Sequence, residues 1–470
     1  MRYAAVILLI FSAVACSSCV ANKVYRWGKA EPPSIVPANP SANPNAPKYD
    51  LAFLEFDDMG EFWTIGDLPH FQDQPKASQL SEVVELIKQR KEKGNLIVIA
   101  FIHGWHNNAS KYDERHDKSL YGFKTLMQKR ATNDPSHTYV GIFIAWRGQA
   151  IPGDLLVSYW NRRDAAARLG SPSLSEAVFR MMFATKGIAT QPEVSNQCQS
   201  VDAEPGKAQF IIIGHSFGAR ILEGAVAQPF LTMLLERQSQ TLNCIAEAKK
   251  QGVALPGGQG SFRSPADMIV LLNSANDAFK TKSMIEAMKR MNLKVERPNP
   301  GTSENQKQAT LSNSASAMDS YGPLILSITS KGDWATARVM PVLQALSTVD
   351  KEFRTYDPDR IELGQEPTHS QEFYYLHNEG HVSEFLTHDV ERISTTDCVD
   401  HRWPYFRGDD GCYRVESVHK WNDTPFWVMS VSTHIIPNHE DVFKPGLIDL
   451  LESVLDRYGP TSGETNLSGH

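Results

Sequence analysis

The stretch Phe210-Ile211-Ile212-Ile213-Gly214-His215-Ser216-Phe217-Gly218 drives a continuously apolar run into a serine with glycine two residues away on either side. Four bulky apolar residues in succession suit a strand covered on both faces. The next eight residues, Ala219 to Val226, carry alanines and a leucine that suit a helix packed on a sheet. A chain that passes from buried strand to helix in a single turn holds the residue at the bend at strained backbone angles. Glycines on both sides remove the side chains that would collide there.

Similar apolar runs recur along the chain, at Leu96–Ile102, Tyr139–Trp146, Met268–Leu272, Leu324–Thr329 and Phe426–Ser432. Helical patterns separate them. One spans Ser78 to Lys93, with Leu80, Val83, Val84, Leu86 and Ile87 on its apolar side and Gly94 at its end; others cover Lys118–Arg130 and the amphipathic stretch through Leu455. Buried strands alternating with helices predict an α/β chain with a mostly parallel central sheet and helices on both faces. Tyr49 to Trp63 reads as a hairpin opening that sheet around Asp57-Asp58-Met59-Gly60, the acidic pair serving the turn rather than a metal or proton transfer.

The 470 residues allow two or three domains, but one α/β core with insertions fills that length, and the reading taken is one domain over residues 49–460 with a tail at 461–470. Three stretches interrupt the alternation. Residues 151–206 include the helical pattern Tyr159–Arg168, placed near the bend. Residues 297–320 have loop composition, and residues 335–425 separate the last two strands so widely that they are expected to form a lid. No internal repeat is present.

A net charge of -7 and the lack of a basic stripe with interleaved aromatics argue against nucleic acid as a partner. At the N-terminus, Arg2 precedes an apolar run from Tyr3 to Phe11 and the small residues Ser12 to Ala15, the pattern of an export signal over residues 1–15. Ala13-Val14-Ala15-Cys16 resembles a bacterial lipobox, which implies lipidation of Cys16 and a membrane anchor; cleavage after Ala21 with a soluble periplasmic product is the alternative. The proline-rich residues 30–48 read as a tether within an anchor region of residues 16–48. Beyond Cys16 and Cys19 remain Cys198, Cys244, Cys398 and Cys412, an even number that suggests disulfides in an exported chain. Cys398 with Cys412 and Cys198 with Cys244 is one of three possible connectivities.

A serine hydroxyl becomes a useful nucleophile when a base takes its proton, and the base needs a carboxylate to fix its tautomer. With the bend at Ser216, the order of strands and the loop Ile102 to Trp105, the chain resembles the α/β-hydrolase superfamily of lipases and esterases over most of residues 49–460. The resemblance implies the α/β-hydrolase fold with insertions forming a lid, and an acid and a histidine after late strands in the order Ser, Asp or Glu, His. Asp333, in Ser330-Lys331-Gly332-Asp333, stands where the family's acid stands; Asp277, after the preceding strand, is the rival. His439, several residues past the last strand, has the reach a base needs, whereas His434 abuts the strand and is the reserve. The resemblance also implies oxyanion donors at the amides of Phe217 and Trp105, with Gly214 and Gly218 shaping the elbow and His103 shaping the early loop.

The expectation is therefore an exported serine hydrolase that cleaves carboxylic esters through Ser216, His439 and Asp333 without cofactor or metal. A zinc site on His103 and His106 lacks a suitably spaced third ligand. An acyltransferase on the same triad and a non-catalytic envelope binding protein are the alternatives. The substrate is expected to be a small-molecule or lipid ester. Trp160, Tyr374, Tyr375, Trp403 and Tyr405 either line an acyl pocket or pack the insertions, and packing is the default for each.

Overall fold

The apolar runs become strands because each loses both faces to helices, leaving no position for a polar residue that needs water. In a computed structural model the described residues are 23–26, 35–38, 48–64, 78–110, 118–148, 159–170, 172–187, 208–250, 267–290, 322–348, 351–354, 369–394, 404–408, 411–418 and 421–458. Their strands are β1 (Ile35–Val36), β2 (Asp50–Glu55), β3 (Leu96–Ile102), β4 (Thr138–Ala145), β5 (Ala208–His215) and β6 (Met268–Leu272). The remainder are β7 (Ile325–Ser330), β8 (His388–Ile393), β9 (Tyr405–Gly408), β10 (Gly411–Ser417) and β11 (Phe426–Val431). They form one sheet in the order β1-β2-β4-β3-β5-β6-β7-β11-β8-β10-β9. From β2 to β8 every pairing is parallel; β1, β10 and β9 join antiparallel at the edges.

Helices α1 (Gln79–Lys91), α2 (Lys118–Asn133), α3 (Tyr159–Leu169), α4 (Pro172–Lys186) and α5 (Phe217–Lys250) follow the earlier strands. Helices α6 (Ala278–Arg290), α7 (Met340–Ala345), α8 (Gln371–Leu376) and α9 (Pro445–Tyr458) follow the later ones. Ser78 caps α1 by accepting the amide of Ser81 at 3.1 Å. Two cores flank the sheet. Val98 and Ala100 of β3 pack with α1, α3, α4, α5 and α6 on one face, while Ile97, Ile99 and Phe101 pack with α2 and α9 on the other. The alternation of side chains along a strand thus serves two layers at once. Among the described residues no helix is long and apolar enough to cross a membrane.

Four expectations need revising. Asp57 to Gly60 does turn the chain, with an antiparallel bridge between Phe56 and Phe62, but the second arm forms no sheet strand and β2 pairs instead with β4 and β1. Asp58 serves more than the turn, since it receives Arg147 and the buried Arg162. The proline-rich stretch is not wholly a tether either: Ile35–Val36 is an edge strand, and upstream of it Tyr25 and Arg26 donate backbone amides to Glu55 at 2.8 and 2.9 Å. Burial pushes the Glu55 carboxyl up to about 7, the amides of Tyr25 and Arg26 and the side chain of Gln79 opposing it. Within 335–425, residues 388–393, 405–408 and 411–417 extend the sheet past β11 rather than covering it as a lid.

Cys412 is buried on β10. Cys16, Cys198, Cys398 and Trp403 lie outside the described residues.

Candidate active site

Because β5, β6, β7 and β11 are parallel, the segments that leave their C-terminal ends gather at one edge of the sheet, where α/β folds hold ligands. Ser216 leaves β5 with φ +56°, a left-handed conformation that a non-glycine residue adopts only under constraint. The constraint is packing. A Cβ on Gly214 would sit 2.6 Å from Ala219 Cα, and one on Gly218 would sit 2.2 Å from the carbonyl oxygen of Ile102. Gly104 lets the early loop lie on the serine, since a Cβ there would meet Ser216 Cβ at 2.9 Å. The Ser216 carbonyl accepts the amides of Ala219, Arg220 and Ala275, which ties the bend to α5 and to the segment after β6.

His439 comes from a loop after β11, in which Asn438 accepts the amides of Glu440 and Asp441 at 3.0 and 3.2 Å. Its Nε2 is 2.7 Å from Ser216 Oγ and its Nδ1 is 2.9 Å from Asp333 Oδ1. Asp333 is fully buried and also takes the amides of Ala335 and Thr336 on Oδ1 and the Thr336 hydroxyl on Oδ2. Burial alone would raise the Asp333 pKa, but the facing His439 and these hydrogen bonds hold it below the ordinary aspartate value. For His439 burial acts downward, yet the charge and hydrogen bond of Asp333, with Glu440 nearby, raise the imidazole above the ordinary histidine value. The arrangement leaves Nδ1–H donating to the carboxylate and Nε2 free to take the serine proton.

The chain matches no family model, no curated protein and no solved structure.

The structure thus brings Ser216, His439 and Asp333 together, and it leaves the two rivals elsewhere. His434 is exposed at the end of β11. Asp277 faces Arg220 at 3.6 Å and accepts the amide of Lys280 at the start of α6. Phe217 opens α5, and among the described residues neither its backbone amide nor that of Trp105 has a hydrogen-bond partner. Their rings lie 6.1 Å apart beside Tyr159, at 5.5 Å from Phe217 and 5.9 Å from Trp105. His103 is buried and neutral: burial pushes it down to about 4, Nε2 accepts the amide of Trp146 and Nδ1 donates to the Gly104 carbonyl. His106 stacks on Trp105 with centroids 4.1 Å apart.

Sequence reasoning missed the groups that hold the histidine loop. His215 Nε2 donates to the His439 carbonyl at 2.8 Å, and burial keeps this ring neutral. Asn273, at φ +41°, donates to the same carbonyl at 3.2 Å while its side-chain oxygen accepts the Ser330 amide. Ser330 Oγ donates to the Ile436 carbonyl at 2.6 Å. Polar residues ending parallel strands were the available signal. Of the aromatic candidates, Tyr374 is buried against Phe385 and donates to Glu384, as packing predicts, while Tyr375 meets Arg163. Trp160 is partly exposed and Tyr405 lies on β9.

Proposed function

We propose that this chain is a serine hydrolase of the α/β-hydrolase type that cleaves carboxylic esters through an acyl-enzyme. The observation that carries the reading is the hydrogen-bonded series Ser216, His439, Asp333, with the serine at a strained bend between a buried strand and a helix. His439 Nε2 takes the proton as Ser216 Oγ attacks the ester carbonyl. Asp333 stabilises the imidazolium that results, and the free amides of Trp105 and Phe217 receive the developing oxyanion. Collapse of the tetrahedral adduct releases the alcohol, which leaves with the proton from His439. Water, activated by the same ring, then hydrolyses the acyl-Ser216 ester.

A fluorophosphonate probe is expected to label the wild type at Ser216 and to leave Ser216→Ala unlabelled. Turnover of p-nitrophenyl acyl esters of graded length would report the acyl preference. Full labelling of Ser216→Ala, or no labelling of the folded wild type, overturns the reading.

We further propose export and lipidation at Cys16, and pairing of Cys412 with Cys398. Residues 23–26 dock on the body, so only the six residues 17–22, seven residue-to-residue steps, separate Cys16 from folded chain. At ~3.6 Å per extended residue, that linker holds the body within about 25 Å of the anchor. Ester groups at or near the membrane surface are then within its reach.

A further inference from the structure

We propose that Arg163, Arg220 and Lys280 form a subsite beside Ser216 for an anionic group, a carboxylate or a phosphate, carried by the ester substrate; the proposal rests on the hydrolase reading above.

The three cations come from three separate elements, and Arg220 is tied directly to the nucleophile's backbone. Arg220 lies one turn beyond Ser216 on α5, and its backbone amide donates to the Ser216 carbonyl at 3.2 Å. Its Nη1 donates to the carbonyl of Ala275, whose own amide donates to Ser216. Arg163 lies one turn beyond Tyr159 on α3, the face that meets Phe217. Its Nη2 donates to the Tyr375 hydroxyl at 3.0 Å and its Nη1 reaches Ser347 Oγ at 3.5 Å, so its guanidinium is positioned by neutral oxygens. Lys280 begins α6 beside Asp277, and its charge is felt together with those of Arg220, Asp277, Glu223 and Arg163. Tyr159 senses Arg163, Arg220, Tyr375 and Asp277 in the same way, which places all of these groups in one locality.

Charge and hydrogen bonding are both left incomplete there. Asp277 is the carboxylate facing Arg220, at 3.6 Å, and Glu223 behind it is held toward its neutral form by burial. Three cations therefore share Asp277 and the buried Glu223 among the described residues. Arg220 is 8% exposed, and among the described residues its buried Nε has no acceptor; the buried indole Nε1 of Trp105 has none among them either. Buried donors are rarely left without acceptors, and the Trp105 ring that carries one of these meets Tyr159 and Phe217. A neutral acyl chain supplies no acceptor to them. An oxygen-rich anion several bonds from the ester carbonyl supplies acceptors and balances the charge, and Arg is suited to carboxylate and phosphate alike.

The test compares p-nitrophenyl monoesters of succinate, glutarate and adipate with neutral p-nitrophenyl esters of equal chain length. Esters ending in a phosphate instead of a carboxylate form a second arm that separates the two anions. The wild type is expected to favour one charged series at least tenfold in kcat/KM, and the preference should shrink as ionic strength rises. Arg163→Gln and Lys280→Gln should each cut the charged-to-neutral ratio by about tenfold, chiefly through KM. Arg220→Gln exposes Asp277 to an unpaired state and is judged only if its melting temperature matches the wild type.

A wild type that prefers neutral esters, or an unchanged ratio in Arg163→Gln combined with Lys280→Gln, overturns the subsite while fluorophosphonate labelling of Ser216 still upholds the hydrolase. If labelling fails as well, calorimetric binding of glutarate and of propyl phosphate to the wild type and to Arg163→Gln decides the subsite alone. Equal or undetectable binding by both proteins then overturns it.

Discussion

Thr336 donates its hydroxyl to Oδ2 of Asp333 at 2.6 Å, on the carboxylate oxygen that His439 does not use. With the amides of Ala335 and Thr336 on Oδ1, the acid is fixed in rotation and kept ionised in a fully buried position. The Thr336 oxygen is itself 3.0 Å from His381 Nε2, so the series of contacts runs one residue further than a triad. A hydrogen bond to a charged group contributes about 1.5–3 kcal/mol, equivalent to roughly ten- to hundredfold in rate. Thr336→Val should therefore lower kcat/KM for p-nitrophenyl esters at least about tenfold. Thr336→Ser, which keeps the hydroxyl, should restore most of it. Equal loss in both variants would show that the methyl group matters and the hydrogen bond does not.

The pH dependence follows from the raised His439 pKa. As a general base the ring must be neutral, so kcat/KM should rise with pH through a midpoint above the ordinary histidine value of about 6.5. Asp333→Asn removes the charge that holds the imidazolium. The midpoint should then move to lower pH while the plateau falls by about 10⁴-fold, the scale seen when a triad acid becomes an amide. A pH profile of single-ester turnover checks both effects, and an unmoved midpoint would remove Asp333 from control of the ring.

The elbow should tolerate no side chain at Gly218. A methyl group there would lie 2.2 Å from the Ile102 carbonyl oxygen and 2.6 Å from that of His103, and both belong to the backbone at the C-terminal end of β3. Backbone cannot swing aside as a side-chain tip does. Gly218→Ala is expected to cost at least about 1–3 kcal/mol, the ordinary penalty of overpacking, and to lower the melting temperature. Gly94→Ala is the contrast, because its Cβ would meet nothing within 4 Å and only its φ of +136° opposes the change.

Much of this molecule is legible in its sequence, for a physical reason: parallel strands covered on both faces cannot alternate, so β3, β5, β6, β7 and β11 stand out as apolar runs. The positions of Ser216, Asp333 and His439 follow because parallel strands deliver their following loops to one edge. The outer parts of the sheet were not legible. Ile35–Val36 is two residues among prolines, and β8, paired between β11 and β10, reads His-Asp-Val-Glu-Arg-Ile, four of its six residues polar, because Glu391 and Arg392 are exposed. Asp58 looked like turn chemistry for a similar reason: its partners Arg147 and Arg162 are about 90 and 104 positions away, and local pattern carries no trace of them. His215 and Asn273 were missed because their contacts with the His439 carbonyl depend on three strands at once.

A last prediction concerns two carboxyl groups that the proposed chemistry does not use. Glu379 is fully buried, accepting Ser327 Oγ and Asn378 Nδ2 at 2.8 Å each, and Glu223 is buried against Asn276 and Thr281. Burial raises the pKa of both, and the charges of Glu223 and Asp277 raise Glu379 further. In the unfolded chain each returns to the ordinary glutamate value. Between that value and the raised one the native state holds more protons than the unfolded state, so stability must fall as pH rises across the window. Each pH unit costs about 1.4 kcal/mol for each group that stays protonated only when folded. Denaturation midpoints measured from about pH 5 to about pH 8 should decline, and Glu379→Gln should flatten the decline because the amide keeps a donor without a charge to bury. Asp58 and Asp333, whose pKa values are lowered, act in the opposite direction only below the ordinary aspartate range, while the buried neutral rings of His103 and His215 oppose the decline below about pH 6.5, so the comparison of Glu379→Gln with the wild type isolates the carboxyl. A Glu379→Gln slope identical to the wild type would mean that the carboxyl is already ionised in the folded protein, and that water or a cation beside it supplies what burial removes.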